Sequence, residues 1–271
     1  MKDLRAYGDH AIVTGASSGI GEQFARQLAA AGVNVVLVAR RKDRLEALAA
    51  ELSAAHGVES RAVALDLLAD GAIDELSRQV DGLDIGIVVA NAGIYYAGPF
   101  VENALSDELD VLALDGALPL QLAHRFGREF VGRRRGALVL VSSSIAASPV
   151  PYEANYAAVK AYVLSLGQAL HHEWRKDDVD VLVVSPGPTQ TEGLDNAVGI
   201  DFSMLAGAKM DPARVARTAL RNLGRRAHVI PGLSNTLADL AGRYLLPRSA
   251  SVRMYGRIIG RALTGTAGGA A

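Results

Sequence analysis

The chain alternates between two hydrophobic patterns. Short, continuously apolar runs lie at 10–14, 34–39, 60–65, 85–90, 137–142, 179–185 and 228–230, as in Val35-Val36-Leu37-Val38 and Val181-Leu182-Val183-Val184. Runs of strand length without polar alternation suit parallel strands buried on both faces. Between them, at 21–31, 44–56, 72–80, 106–131, 155–176 and 212–223, apolar residues recur at helical spacing. Alternating β and α elements predict an α/β fold: a Rossmann-type doubly wound parallel sheet of about seven strands, with right-handed crossovers and helices on both faces. No linker rich in Pro or Ser and no internal repeat interrupts the pattern, so residues 1–264 read as a single domain and 265–271 as a flexible tail.

Composition acts mainly by exclusion. Half of the 271 residues are hydrophobic, enough for a substantial core, and the net charge of −1 offers no polyanion-binding surface, so no nucleic-acid partner is expected. The absence of cysteine removes disulfides and thiolate metal sites, and His124, His171 and His172 lack metal-ligand partners at suitable spacing; no metal is expected. The first residues lack the apolar run of a signal peptide, and no stretch reaches the roughly 18 uncharged apolar residues of a membrane span. The expected setting is cytoplasmic.

Candidate chemistry begins where the first strand ends. Thr14 runs into Gly15-Ala16-Ser17-Ser18-Gly19-Ile20-Gly21, and a helix follows. Glycines permit a tight turn and a close approach to a pyrophosphate, and the helix N-terminus offers free N–H groups and a positive dipole end. The second strand ends in Arg40-Arg41, where an acidic residue would accept the adenosine ribose hydroxyls of NAD. Two arginines there match the charge and geometry of a 2′-phosphate, so NADP(H) is expected over NAD(H); solvated arginines at a helix start are the plainer reading. Asp66-Leu67 closes the third strand, and Asp66 can accept from the adenine amine, cap a helix, or do both.

Tyr156-Ala-Ala-Val-Lys160 sets a phenol and an ammonium four residues apart, on one helix face. A cation beside a phenol favours the phenolate, so the expectation is a tyrosine with a lowered pKa, able to act as acid or base near neutrality. Ser143 lies thirteen residues upstream, at the carboxyl end of a strand.

Thr14-Gly15-(x)3-Gly19-Ile20-Gly21, Asn91-Ala92-Gly93, Ser143, Tyr156-(x)3-Lys160 and Pro186-Gly187-(x)3-Thr191 occur in that order. Over roughly residues 8–232 the chain resembles the compact, single-domain short-chain dehydrogenases/reductases. The resemblance implies Tyr156 as general acid–base, Lys160 as the residue that lowers its pKa and binds the nicotinamide ribose, and Ser143 as a hydrogen-bond partner of the substrate oxygen. It implies Asn91, Ala92 and Gly93 beside the cofactor, with Pro186, Gly187, Thr189 and Thr191, the last holding the carboxamide. It also implies a homodimer or homotetramer built through the helices near 106–131 and 155–176.

One position departs from that family's pattern. Asp115 stands where an asparagine usually holds a water that relays protons to the lysine. An ionised aspartate near Lys160 would favour the ammonium and alter proton delivery. Drift at a tolerant position is the alternative.

Tyr95, Tyr96, Tyr152, Leu194 and Met204 are expected to line or approach a substrate pocket, or simply to pack. The irregular segment at about 191–210 is a lid candidate or a plain loop. The stretch at 244–263 mixes arginines with Val252, Met254, Tyr255, Ile258, Ile259 and Leu263 at helical spacing. Such a helix packs on its own core or a second subunit, which is favoured, or lies on a membrane. The expected activity is interconversion of a small-molecule carbonyl and a secondary alcohol by hydride transfer with NADP(H). The alternative is a non-catalytic NADP(H)-binding regulatory or interaction protein.

Overall fold

A computed structural model describes residues 3–195, 197–202, 209–233, 235–237 and 247–263. The apolar runs form seven parallel strands: β1 (His10–Thr14), β2 (Asn34–Ala39), β3 (Ser60–Ala64), β4 (Ile85–Ala90), β5 (Gly136–Val141), β6 (Val179–Val184) and β7 (His228–Val229), in the order β3-β2-β1-β4-β5-β6-β7. The direction of strand addition reverses between β1 and β4. The crevice at the carboxyl ends of those two strands is where such sheets bind ligands.

The five inner strands β2, β1, β4, β5 and β6 are buried on both faces, the edge strand β3 only in part, and alternate residues serve opposite layers. Val35 and Leu37 join Phe24 and Leu28 of α1 (Gly19–Ala30), Leu45 and Leu52 of α2 (Lys42–His56) and Val215 of the helix Pro212–Asn222. Val36 and Val38 join the opposite layer, with Leu76 of α3 (Ala72–Gln79) and with Phe126 and Val163 from two longer helices.

The pattern at 106–131 predicts one helix, and the structure breaks it in three. α4 (Leu105–Val111) passes into a π-helical turn, Leu112–Ala117, and then into α5 (Leu118–Gly132). Pro119, near the start of α5, has no N–H to give the carbonyl of Asp115 four residues back, so regular α-helix cannot run through this point. α6 (Ala154–Trp174) packs against the turn, with Val159 close to Gly116.

Beyond β6 lies the short helix α7 (Glu192–Asp195), followed by α8 (Pro212–Asn222). Of the lid candidate, residues 196 and 203–208, with Met204, lie outside the described residues, as do 244–246 and the tail. The helix α9 (Arg248–Ala262) packs on its own chain. Ile259 and Ala262 join Ala97, Val150, Ala157 and Ile200 in a third apolar cluster. Gly256 and Gly260 face Pro151 and Tyr152, and the Asp201 N–H donates to the Ala262 carbonyl at 2.7 Å. Among the described residues, no helix is long and apolar enough to cross a membrane.

Candidate active site

At the ends of β1 and β4 the chain is pinned by a hydroxyl. Thr14 is fully buried; its Oγ1 accepts from the Asn91 and Ala92 N–H groups at 2.9 and 3.0 Å and donates to the Val89 carbonyl at 3.2 Å. The Asn91 amide returns a bond to the Thr14 carbonyl at 2.9 Å. Gly15 and Gly19 hold φ of 68° and 60°, and a side chain on Gly21 would run into the Gly15 carbonyl and Asn91. Backbone can thus approach a ligand closely at the start of α1. Thr14 itself was legible only as the residue before the glycine turn, not as its anchor.

Arg41 reaches this loop. Its Nε and Nη2 donate to Ser17 Oγ at 3.1 and 2.9 Å, and Nη2 also to Ser18 Oγ at 2.7 Å. Its Nη1 donates to Glu192 Oε2 at 2.7 Å, as does Nη1 of Arg44 at 2.6 Å. Arg40 is exposed at the same strand end. Sequence reasoning missed Arg44 and Glu192. Arg44 follows Arg41 by three residues, which on a helix start shares its face; Glu192 carried no sequence signal. Asp66 is exposed, and its Oδ1 accepts from the Leu68 N–H at 3.1 Å. It does not cap α3, whose N-cap is Gly71; it closes the turn that follows β3, beside Leu67. The glycine turn, the open N-terminus of α1 and the arginine pair fit a dinucleotide.

On the other side of the crevice, Tyr156 and Lys160 project from the first turns of α6. Lys160 Nζ lies 5.4 Å from the centre of the Tyr156 ring, donates to the Val141 carbonyl at 3.2 Å and meets Asp115 Oδ1 at 2.6 Å. The other Asp115 oxygen accepts from the Ile94 N–H at 2.8 Å. Lys160 and Asp115 are 4% and 1% exposed. Ser142 turns inward and donates to the Lys160 carbonyl at 2.8 Å, whereas Ser143, at the cap of a short 3-10 turn, faces the phenol.

These neighbours do not lower the phenol's pKa as the sequence pair suggests. Burial pushes Tyr156 up to about 12; Lys160 pulls it down with the expected sign, but Asp115 and Glu153 push it further up, and Ser143 pulls down. Burial alone would lower the Lys160 ammonium, yet Asp115 and Tyr156 hold it above the usual lysine value. Burial likewise holds Asp115 above the ordinary aspartate range, against the pull of Lys160 and the Ile94 N–H. Glu153, the N-cap residue that precedes α6, escaped sequence reasoning, although it stands only three residues before Tyr156. It is 5% exposed, and burial raises its carboxyl.

Tyr95 stands edge-on to Tyr156, with ring centres 4.9 Å apart, and Phe202 packs beside it at 5.5 Å. Tyr152 and Tyr96 border a small hollow next to Tyr156, and Tyr152 adopts a left-handed φ of 70°. Leu194 is half-buried on α7, its N–H bonded to Thr191 Oγ1 at 3.2 Å. The Thr191 methyl lies over Gly19, Thr189 Oγ1 donates to the Gly187 carbonyl at 2.8 Å, and the Pro186 carbonyl accepts from the Ser144 N–H at 2.9 Å. The segment 186–191 therefore spans from the Ser143 loop to the glycine loop, while Gly93 sits over Asp115.

The family model for short chain dehydrogenases matches residues 9–198. The 7beta-hydroxysteroid dehydrogenase of Collinsella aerofaciens is 30% identical over 231 residues, covering 84% of this chain and 88% of that protein. A solved structure from work on 7beta-hydroxysteroid dehydrogenase stereoselectivity superposes with a TM-score of 0.85 at 28% identity, covering 93% of this chain and 98% of the other. A short-chain dehydrogenase from Sphingobium yanoikuyae in complex with NADPH superposes with a TM-score of 0.77 at 32% identity, over 86% and 92% of the two chains.

Proposed function

Because this chain belongs to the short chain dehydrogenase family, whose members interconvert carbonyls and alcohols, we propose that it does so with NADP(H) and with Tyr156 as the general acid–base. The observation that carries the reading is the buried Tyr156–Lys160–Asp115 cluster facing Ser143 across from the glycine loop. When bound, the cofactor supplies or accepts the hydride. Reduction leaves negative charge on the substrate oxygen. Tyr156 protonates that oxygen, becoming a phenolate, while Ser143 donates a hydrogen bond to it. Lys160 stabilises the phenolate, and its ion pair with Asp115 keeps a proton at Nζ for the next turnover. Oxidation reverses each transfer. A pKa near 12 favours the protonated phenol, the form that reduction uses.

Arg41 and Arg44, with Arg40 beside them, support NADP(H): their guanidiniums gather beside the glycine loop and would match a 2′-phosphate in charge and geometry. Asp66 and Leu67 would hold the adenine end and Thr191 the carboxamide, with Asn91, Ala92, Gly93, Pro186, Gly187 and Thr189 beside the cofactor. Tyr95 and Tyr152 form the aromatic wall for a bulky, largely apolar ketone or secondary alcohol, a class to which the hydroxysteroid relatives' names lend support. The test is NADPH oxidation with a panel of cyclic and open-chain ketones and aldehydes, with Tyr156→Phe as control. Turnover lost in that variant while NADPH binding persists is expected. Tight NADPH binding without turnover of any carbonyl would favour a non-catalytic NADP(H)-binding protein.

A further inference from the structure

We propose that Glu192 is a cofactor-specificity residue acting as an internal competitor for the 2′-phosphate: its carboxylate occupies the arginine forks that NADP(H) must take over and that NAD(H) does not need. The inference rests on the NADP(H) reading of Arg41. Glu192 Oε2 receives Nη1 of Arg41 at 2.7 Å and Nη1 of Arg44 at 2.6 Å, and Oε1 receives Nη2 of Arg44 at 3.3 Å. One carboxylate thus answers two guanidiniums, as an anionic phosphate oxygen pair would.

The arrangement is built by the fold. Arg41 and Arg44 belong to the β2–α2 junction, and Glu192 opens α7, about 150 residues later in the chain. The remaining donors of Arg41 are fixed on Ser17 and Ser18, so its Nη1 is the one left to face a ligand anion, and Glu192 holds it. The preceding residue, Thr191, rests on Gly19, which seats the carboxylate above the glycine loop. The side chains are 40%, 52% and 37% exposed for Arg41, Arg44 and Glu192, so an incoming phosphate can reach the forks and the displaced carboxylate can turn into water. Hydrogen bonds from Arg44 and then Arg41 hold the Glu192 carboxyl below the ordinary glutamate range, so it is a charged competitor at neutral pH.

Exposed ion pairs are weak, each worth up to about fivefold in an equilibrium constant. Glu192→Gln keeps the shape and removes the charge. Titration of the full chain by NADPH and NADH fluorescence is expected to show NADPH binding about twofold to tenfold tighter in the variant, with NADH unchanged. Unchanged or weaker NADPH binding, or equal tightening of both cofactors, would overturn the proposal. Arg41→Ala, titrated in parallel, separates the two layers. If it weakens NADPH selectively while Glu192→Gln leaves both cofactors unaltered, only the role of Glu192 falls. If it weakens neither selectively, the NADP(H) reading falls and takes this proposal with it.

Discussion

Asp115 Oδ1 lies 2.6 Å from Lys160 Nζ, and the pair is enclosed by the Ile94 N–H and the Val141 carbonyl. The lysine that would assist the phenol is therefore held by a carboxylate of the same chain. That carboxylate also pushes the Tyr156 phenol upward.

Asp115→Asn removes this charge while its amide oxygen can keep the Ile94 hydrogen bond. The Tyr156 pKa then falls, because one of the influences that raise it is gone. The alkaline limb of the pH–rate profile for NADPH-driven reduction moves to lower pH, and the rise for alcohol oxidation begins at lower pH. Superimposable profiles of the variant and the parent would end the idea.

Glu153→Gln probes the second acid. Burial raises its carboxyl, so the folded state holds the proton more tightly than the unfolded chain. Its contribution is most favourable below the unfolded glutamate pKa and is lost as pH rises through the folded value. The variant is expected to melt above the parent near neutral pH, with the gap closing in acid. Thermal melts at several pH values decide this, and a gap that widens in acid would contradict it.

Thr14→Val keeps the volume but deletes the hydroxyl that accepts from Asn91 and Ala92. Leaving these N–H groups without their partner costs about 1–3 kcal/mol by urea unfolding. NADPH binding weakens as well, since Asn91 frames the glycine loop. A change below about 0.5 kcal/mol would mean that the loop is held by other means.

Gly21→Ala puts a methyl group where the Gly15 carbonyl and the Asn91 amide already are. Overpacking of this kind costs about 1–3 kcal/mol. NADPH affinity is expected to fall about tenfold or more, measured by fluorescence titration. Binding equal to the parent's would show that the turn yields without cost.

The strands were legible because a run such as Val181 to Val184 has no polar face to offer water, and only a sheet covered on both sides buries it. The glycine turn and the Tyr156–Lys160 pair were legible because their chemistry acts over a few residues. The break at 112–117 was hidden by an unbroken apolar pattern, although Pro119 held the clue. The upward pull on Tyr156 was illegible, since it comes from burial and from Asp115, 41 residues away in sequence, and only the folded chain brings that acid to the phenol. Glu192 was more remote still: a surface glutamate has no local feature that says which arginines it will meet.

Pro119 leaves a lasting mark on the site. A side chain can be exchanged by a single codon, but the main-chain oxygen of residue 115 cannot, and the proline denies it the donor that an ordinary helix would supply four residues on. Position 115 therefore carries a side chain that substitution can replace and a main-chain carbonyl whose missing α-helical partner no substitution there can restore. Exchanging the carboxylate changes the charge beside Lys160 but leaves this break in the helical bonding where Pro119 sets it.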